Sequence, residues 1–404
     1  MVEAGAELIG YNHPTWLLLA QEFDLGLVLL TSDENLATLD LSIPMQIGGK
    51  VLSRNQLKDT YDEMTKAFAS ISRQAREITD PYKPWRTKRA HAIDQTPLSH
   101  WIDRLSCTDT AKNAIRIDLE NTNAASADRQ SLLANLSLVA GGALDGHADD
   151  FFNVSEVARC ERGNQALAKT LHRKFGGGGG IVHLSRPVHK IEISRHGVRI
   201  STKSATMKAD YAILAVPPSA WPIIEPALPA AYAVSMGAAV KYLSDMKSRF
   251  WLARQLSSNS VSDEYGYTWD GTDNQTQVAG QNIAFSLFAG GKAAQRAVDI
   301  YQEEGLAALR TFYRTTISKV YQDYAINLAG TSRFVAWPLE RWTRAGYSNF
   351  APGEVCRAGP LLTEPYQDRL YFAGEHVCLA FYGYMEGALQ SGLATSLAIL
   401  NRNH

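Results

Sequence analysis

The chain has 404 residues, 45% hydrophobic and 20% charged, which is the balance of a folded globular protein and excludes a largely disordered one. Lys plus Arg total 40 against 41 Asp plus Glu, so the net charge of −1 gives no electrostatic footprint for nucleic acid or an anionic membrane. The four cysteines, Cys107, Cys160, Cys356 and Cys378, have neither a disulfide framework nor metal-ligand spacing, so reduced thiols and no metal are expected.

Residues 2–10 read as the inside of a domain. Asn12 is expected to cap a helix with Pro14 in its first turn and Trp16 opening its apolar face. Leu57, Tyr61, Met64, Phe68 and Ile71 recur at helical spacing and predict a long helix over 54–77. Pro81, Pro84 and Pro97 break the polar stretch that follows. Helices are expected again over 127–140 and 164–174. A run of five glycines, 176–180, leads into strand patterns at 181–184, 188–194, 198–202 and 211–216, with a turn at His196-Gly197. Residues 302–320 read as helix. A short buried strand is expected at 370–373 and a final helix over 384–400. Strands and helices interleave, so the fold class is α/β, or mixed α+β. No apolar run is long enough to cross a bilayer and no export signal is legible, so a soluble, cytoplasmic chain is expected.

The last forty residues carry the most chemistry. A buried strand ends at Gly374-Glu375, an aromatic loop follows at Phe381-Tyr382-Gly383-Tyr384, and a helix opens at Met385. Gly374 at a strand end suits close approach of a ligand, and a helix N-terminus favours an anionic or electron-rich group. Ala388, Gly392 and Ser396 form a small-residue stripe suited to packing on a sheet. Without further information a plain sheet-packing helix fits equally well.

The ordered series Tyr371-Phe372-Ala373-Gly374-Glu375-His376, then Tyr382-Gly383-Tyr384-Met385-Glu386-Gly387-Ala388 and Ser391-Gly392, strongly resembles the C-terminal flavin motif of the flavin-containing amine oxidases. The resemblance covers nearly the whole chain. It implies a Rossmann-like FAD/NAD(P)-binding domain over 1–32, 155–232 and 336–404, with an inserted substrate domain over 33–154 and 233–335. It also implies residue roles. Lys241 matches the lysine that holds a water against flavin N5. Tyr384 matches one wall of an aromatic cage. Tyr347 is the choice for the other wall, although a gap-free alignment places Gly346 there. Trp337 lies near the flavin edge. The segment with Gly5, Ala6, Leu8 and Ile9 passes beside the flavin, and Gly374, Gly383 and Met385 belong to the C-terminal motif. Glu375 matches the acid beside the ribitol chain, and Val188 and Ala215 flank the adenine end. Neither Cys356 nor Cys378 matches the cysteine of members with a covalent flavin, so FAD is expected to be non-covalent. The implied reaction takes hydride from a small-molecule amine, gives an imine and returns electrons to dioxygen as hydrogen peroxide.

Two departures from the family pattern qualify these expectations. Family members begin with a strand, a Gly-x-Gly-x-x-Gly turn and a helix that cradle the pyrophosphate. Nothing of that kind precedes Val2, and the run at 176–180 follows a helix, the reverse order. The reading is therefore a truncated chain, a split protein with a small subunit supplying the first βαβ unit, or a degenerate relative. Second, L-amino acid oxidases of the venom type place a carboxylate-gripping arginine where Leu8 stands, which leans toward an amine; Arg54 or Arg249 are the substitutes to consider. The rival readings are an amino acid oxidase, a flavin desaturase, and a non-catalytic subunit.

Overall fold

The computed structural model describes residues 2–143, 151–275 and 283–402. The chain opens with β1 (Leu8–Ile9), α1 (Pro14–Glu22) and β2 (Leu27–Leu29). A hairpin of β3 (Met45–Ile47) and β4 (Lys50–Val51) turns at Gly48 and Gly49, both with positive φ. Ser53 and Gln56 form a reciprocal capping box that starts α2 (Arg54–Ala75). Its buried face of Leu57, Met64 and Ile71 packs with Ile115 and Leu119 of α3 (Asp109–Thr122) and Leu133 and Leu136 of α4 (Leu132–Gly141). Then come β5 (Ala158–Cys160), α5 (Gln165–Gly177), the antiparallel set β6 (Val188–Ser194), β7 (Gly197–Thr202) and β8 (Thr206–Ala209), and β9 (Ala212–Leu214).

The largest sheet is built from β10 (Ala239–Met246), β11 (Ser260–Ser262), β12 (Gly266–Asp270), β13 (Ile283–Gly290) and β14 (Leu328–Ala336) together with the early hairpin. Its order is β14-β10-β13-β12-β11-β3-β4, and β11–β3 is its parallel pair. Helix α6 (Gly291–Val320) covers one face, burying Leu309, Tyr313 and Ile317 against Tyr242, Phe285 and Leu287. The second sheet that matters is small: β9 pairs in parallel with β15 (Leu370–Phe372). Helix α7 (Met385–Arg402) lies on it. Thr395 Oγ1 donates to the Phe372 carbonyl at 2.8 Å, and Ser391 Oγ donates to the Gly374 carbonyl at 2.8 Å. Gly387 is required there, because a Cβ would lie 2.2 Å from the Phe381 carbonyl oxygen. No described helix is long and apolar enough to cross a membrane.

Four expectations are corrected. Residues 181–184 form no strand: Ile181 and Leu184 are exposed in irregular chain after α5. Asn12 does not cap α1, whose N-cap is His13. Instead Asn12 turns inward and donates to the Gly142 carbonyl and Ser155 Oγ. The orphan amides of Thr15 and Trp16 are taken by the two oxygens of Glu386, each at 2.9 Å, from the start of α7. The small-residue stripe that meets the sheet is Gly387, Ser391 and Thr395, one position away from Ala388, Gly392 and Ser396, whose side faces outward. Finally, α6 begins at Gly291, well before 302, and is broken by positive φ at Gly305.

Candidate active site

The site starts from the alternation of β10. Val240 and Tyr242 point into the core under α6, which sends Lys241 to the opposite face. There its Nζ donates to Glu7 Oε2 at 2.7 Å and to the Glu3 carbonyl at 3.1 Å. It also stands 5.0 Å from the centre of the Trp269 ring, a cation–π distance. The other Glu7 oxygen accepts from Trp269 Nε1 at 3.2 Å and faces Arg159 at 3.5 Å. The Lys241 and Glu7 side chains are 5% and 3% exposed, so one buried carboxylate is shared by two buried cations, Lys241 and Arg159. Arg159 also donates to the carbonyls of Asp270 and Gly271.

Beside it, aromatic hydroxyls and carboxyls converge. Gly383 has positive φ and approaches the Tyr347 ring so closely that a Cβ would sit 3.1 Å from it. Tyr384 follows and is a near neighbour of Tyr347. The Tyr347 hydroxyl donates to the Thr122 carbonyl at 2.6 Å, which anchors the ring to the end of α3. Gly346 turns away and packs on Ala239. Tyr267 donates to Asp118 at 2.7 Å. Burial pushes the Asp118 carboxyl up to about 6. Glu156 is pushed up to about 7, first by burial and then by the charges of Asp118 and Glu7, while Lys241 and the Tyr384 hydroxyl favour its ionised form. Glu156 keeps solvent-accessible surface, so the side of these groups on which it stands can be reached from outside. Burial likewise raises the Tyr347 and Tyr384 hydroxyls well above the ordinary tyrosine range, so both stay neutral donors. The site thus offers aromatic faces for an amine, two carboxyls poised near neutrality, and one fixed ammonium.

The remaining expected residues fall into three groups. Gly5 lies against the Trp337 ring, and Trp337 Nε1 donates to the Ala4 carbonyl at 3.0 Å, so these two form one wall. The Ala6 carbonyl accepts from Asn164 Nδ2, while Leu8 and Ile9 form β1 and pair with Arg159 and Ala158. Met385 packs with the cluster around Ile9 and Trp16. Ala215 and Gly374 leave the C-terminal ends of the parallel strands β9 and β15, the end of an α/β sheet where ligands bind. Glu375 is engaged within the protein: it accepts from the Ser348 amide at 2.9 Å, the Ser348 hydroxyl at 2.5 Å and the Gly383 amide at 2.6 Å. It therefore holds the loop with Tyr347 against the loop with Tyr384. Val188 opens β6 in a separate sheet and is not joined to the tyrosines by any described contact.

Sequence reading missed Glu7, Asp118, Glu156, Tyr267 and Trp269. Glu7 had a signal: an acid immediately before Leu8-Ile9, inside a segment read as interior, demands a partner. The other four had none: Asp118 lies on α3, Tyr267 and Trp269 on β12, and Glu156 just before β5, all far from the motif residues in sequence.

Residues 1–400 match the family model for flavin containing amine oxidoreductase. Human amine oxidase [flavin-containing] B is 25% identical over 369 residues, covering 85% of this chain and 66% of that protein. This chain therefore spans just under two-thirds of the human relative's length. Among solved structures, cyclohexylamine oxidase from Brevibacterium oxydans IH-35A has a TM-score of 0.82 at 19% identity, covering 99% of this chain and 88% of that one. Putrescine oxidase bound to putrescine has a TM-score of 0.83 at 18% identity with the same coverages. At these identities the structures establish a shared fold.

Proposed function

We propose, starting from the fact that this chain belongs to the flavin containing amine oxidoreductase family, that it oxidises a small amine at its carbon–nitrogen bond. The products are an imine, which water hydrolyses, and hydrogen peroxide from dioxygen. The observation that carries this reading is the site in which Tyr347 and Tyr384 stand together beside Glu156, which in turn neighbours Lys241.

The residues fit the flavin end of FAD. Gly5 with Trp337 and the Gly383 turn offer aromatic and glycine surfaces for a flat ring, and Ala215 and Gly374 open the strand ends. Bound there, FAD supplies the two-electron chemistry that accepts hydride from an amine carbon and returns electrons to dioxygen. Tyr347 and Tyr384 orient the amine, whose nitrogen must be neutral to share its lone pair with the carbon. Asp118 and Glu156, poised between about 6 and about 7, are suited to take the ammonium proton as the amine enters. Lys241 presents a fixed donor. In this reading FAD is held non-covalently in this chain, because neither Cys356 nor Cys378 matches the attachment position and burial pushes both up to about 12, which leaves them poor nucleophiles.

An amino acid substrate is less well supported. Arg54 is paired with Asp40 at 2.6 Å and Arg249 with Asp270 at 2.7 Å, so neither waits for a carboxylate. Asp118 and Glu156 would also repel one. The division into a cofactor domain (1–32, 155–232, 336–404) and a substrate domain rests on the large sheet being drawn almost wholly from the latter segments. A small subunit supplying a phosphate-binding βαβ unit is supported by apolar residues left exposed beside the two-stranded sheet, among them Ile213, Val216 and Leu397.

The test is anaerobic mixing of the FAD-loaded protein with primary amines. Bleaching of the flavin absorption, with peroxide formed on admitting air, is the expected result. A yellow protein that no amine bleaches overturns the reading.

A further inference from the structure

We infer that Glu7 is a positioning residue for Lys241: its buried carboxylate clamps the ammonium so that one N–H remains for the site. The inference rests on the reading of Lys241 as a donor beside the flavin, and goes beyond it by saying what holds that donor in place.

A lysine ammonium has three hydrogens on a flexible four-carbon stem. Left alone on an interior face, the group would swing toward any water or lose its charge, because an unpaired buried ion is costly. Here two of the three hydrogens are committed. One goes to Glu7 Oε2 at 2.7 Å and one to the Glu3 carbonyl at 3.1 Å. Both acceptors come from the same short stretch before β1, so a single piece of backbone fixes Nζ. The Trp269 ring closes another side at 5.0 Å. Among the described residues no other acceptor takes the third hydrogen, and the Lys241 charge reaches the neighbouring acid Glu156, which keeps accessible surface.

Glu7 is itself held. Its second oxygen takes Trp269 Nε1 at 3.2 Å and faces the Arg159 guanidinium at 3.5 Å. Arg159 is fixed by the carbonyls of Asp270 and Gly271. The carboxylate therefore ties together β10, β12, β5 and the opening segment. The same segment receives Trp337 Nε1 on the Ala4 carbonyl. A movement of this segment would shift Lys241 and Trp337 together.

The experiment has two arms. In the flavin-free protein, labelled with 15N, a buried ammonium bonded to a carboxylate exchanges its protons slowly enough to be seen. One such resonance is expected in the wild type, lost in Lys241→Met and shifted or broadened in Glu7→Gln. Its absence from the wild type, or its persistence unchanged in Glu7→Gln, overturns the inference, and the first of these needs no Glu7 variant to fold. In the FAD-loaded protein, Glu7→Gln should lower the limiting rate of flavin reduction by about 100-fold, the scale of a misplaced catalytic group. The half-saturating amine concentration should stay within about twofold, and adding Lys241→Met should cost nothing more, since the two residues act as a unit. Additive losses, or a loss seen only in half-saturation, overturn it. If Lys241→Met is slow while Glu7→Gln reduces like wild type, the functional reading stands and this inference falls. If amines fail to bleach the wild type, both fall.

Discussion

The seven-stranded sheet and the two-stranded sheet solve the same problem with opposite completeness. In the large sheet every interior strand is paired on both sides, and α6 seals one face with tyrosine and leucine. Some of its buried hydroxyls find partners within the unit, as in the 2.7 Å contact of Ser244 Oγ with Tyr324, while Ser286 Oγ and the Tyr313 hydroxyl are buried without one among the described residues. The small sheet has two three-residue strands; α7 lies on it, Trp221 and Tyr232 pack on Phe372, and β15 is buried while Ile213 of β9 is exposed. The outward side of α7 carries Leu393, Leu397 and Leu400, and Ile213 and Val216 are exposed near β9. The difference teaches where the chain seals its own sheet and where it leaves apolar side chains exposed. The candidate active site lies at their junction: Lys241 comes from the first unit, and Tyr384 and Glu375 from the second.

The sharpest way to break this contrast is substitution in the large sheet. Leu287 is 0% exposed, so Leu287→Ala should destabilise by about 2–5 kcal/mol in urea unfolding. A loss below about 1 kcal/mol would mean that the large sheet is not the stable unit. Next, Glu386→Ala should cost about 2 kcal/mol, because it strips two amides of a charged acceptor and one of them, on Trp16, is buried. Faster hydrogen exchange should be confined to α1 and its surroundings.

Acid separates the units further. Burial holds His13 and His376, both on the side of the small sheet, down to about 4 from 6.5. The folded state therefore keeps them neutral while the unfolded chain takes up protons. Their contribution to stability is complete above pH 6.5 and is lost as pH falls from 6.5 toward 4. His376→Gln should reduce the slope of stability against pH in that window by up to about 1.4 kcal/mol per unit. An unchanged slope would remove His376 from the account. The smallest effect is expected at Leu397, which is 50% exposed: Leu397→Ala should change stability by less than about 0.5 kcal/mol. A loss comparable to Leu287→Ala would show that the outer side of α7 is already covered in solution.

The two units also differed in how much of them could be read in advance. The small unit was legible because its strand, loop and final helix are contiguous and carry a long ordered motif. Even there the packing register was misread by one residue. Gly387-Ser391-Thr395 and Ala388-Gly392-Ser396 are adjacent stripes of small residues, and local sequence does not say which one faces a sheet. The large unit was hardly legible. In β10 the order Ala-Val-Lys-Tyr-Leu-Ser-Asp-Met places Lys241, Ser244 and Asp245 among apolar residues and blurs the period of two. Its partners arrive from distant segments, as in the pairing of Lys241 with both Phe288 and Val335. Glu7 shows the same limit at the site. Its ligands, Arg159, Lys241 and Trp269, are scattered along the chain and become neighbours only through the fold.

The contact of Glu386 with the amides of Thr15 and Trp16 has a consequence in time as well as in energy. It joins positions 371 and 370 residues apart. During synthesis α1 leaves the ribosome long before the side chain that completes its first turn exists. A nine-residue helix is too short to persist alone. It must therefore wait, unformed or loosely docked, until the last helix has been made, and closing so large a loop is slow. The first helix in the chain is then among the last to become stable, and the segment with Glu7, immediately before it, settles into place at the same late stage.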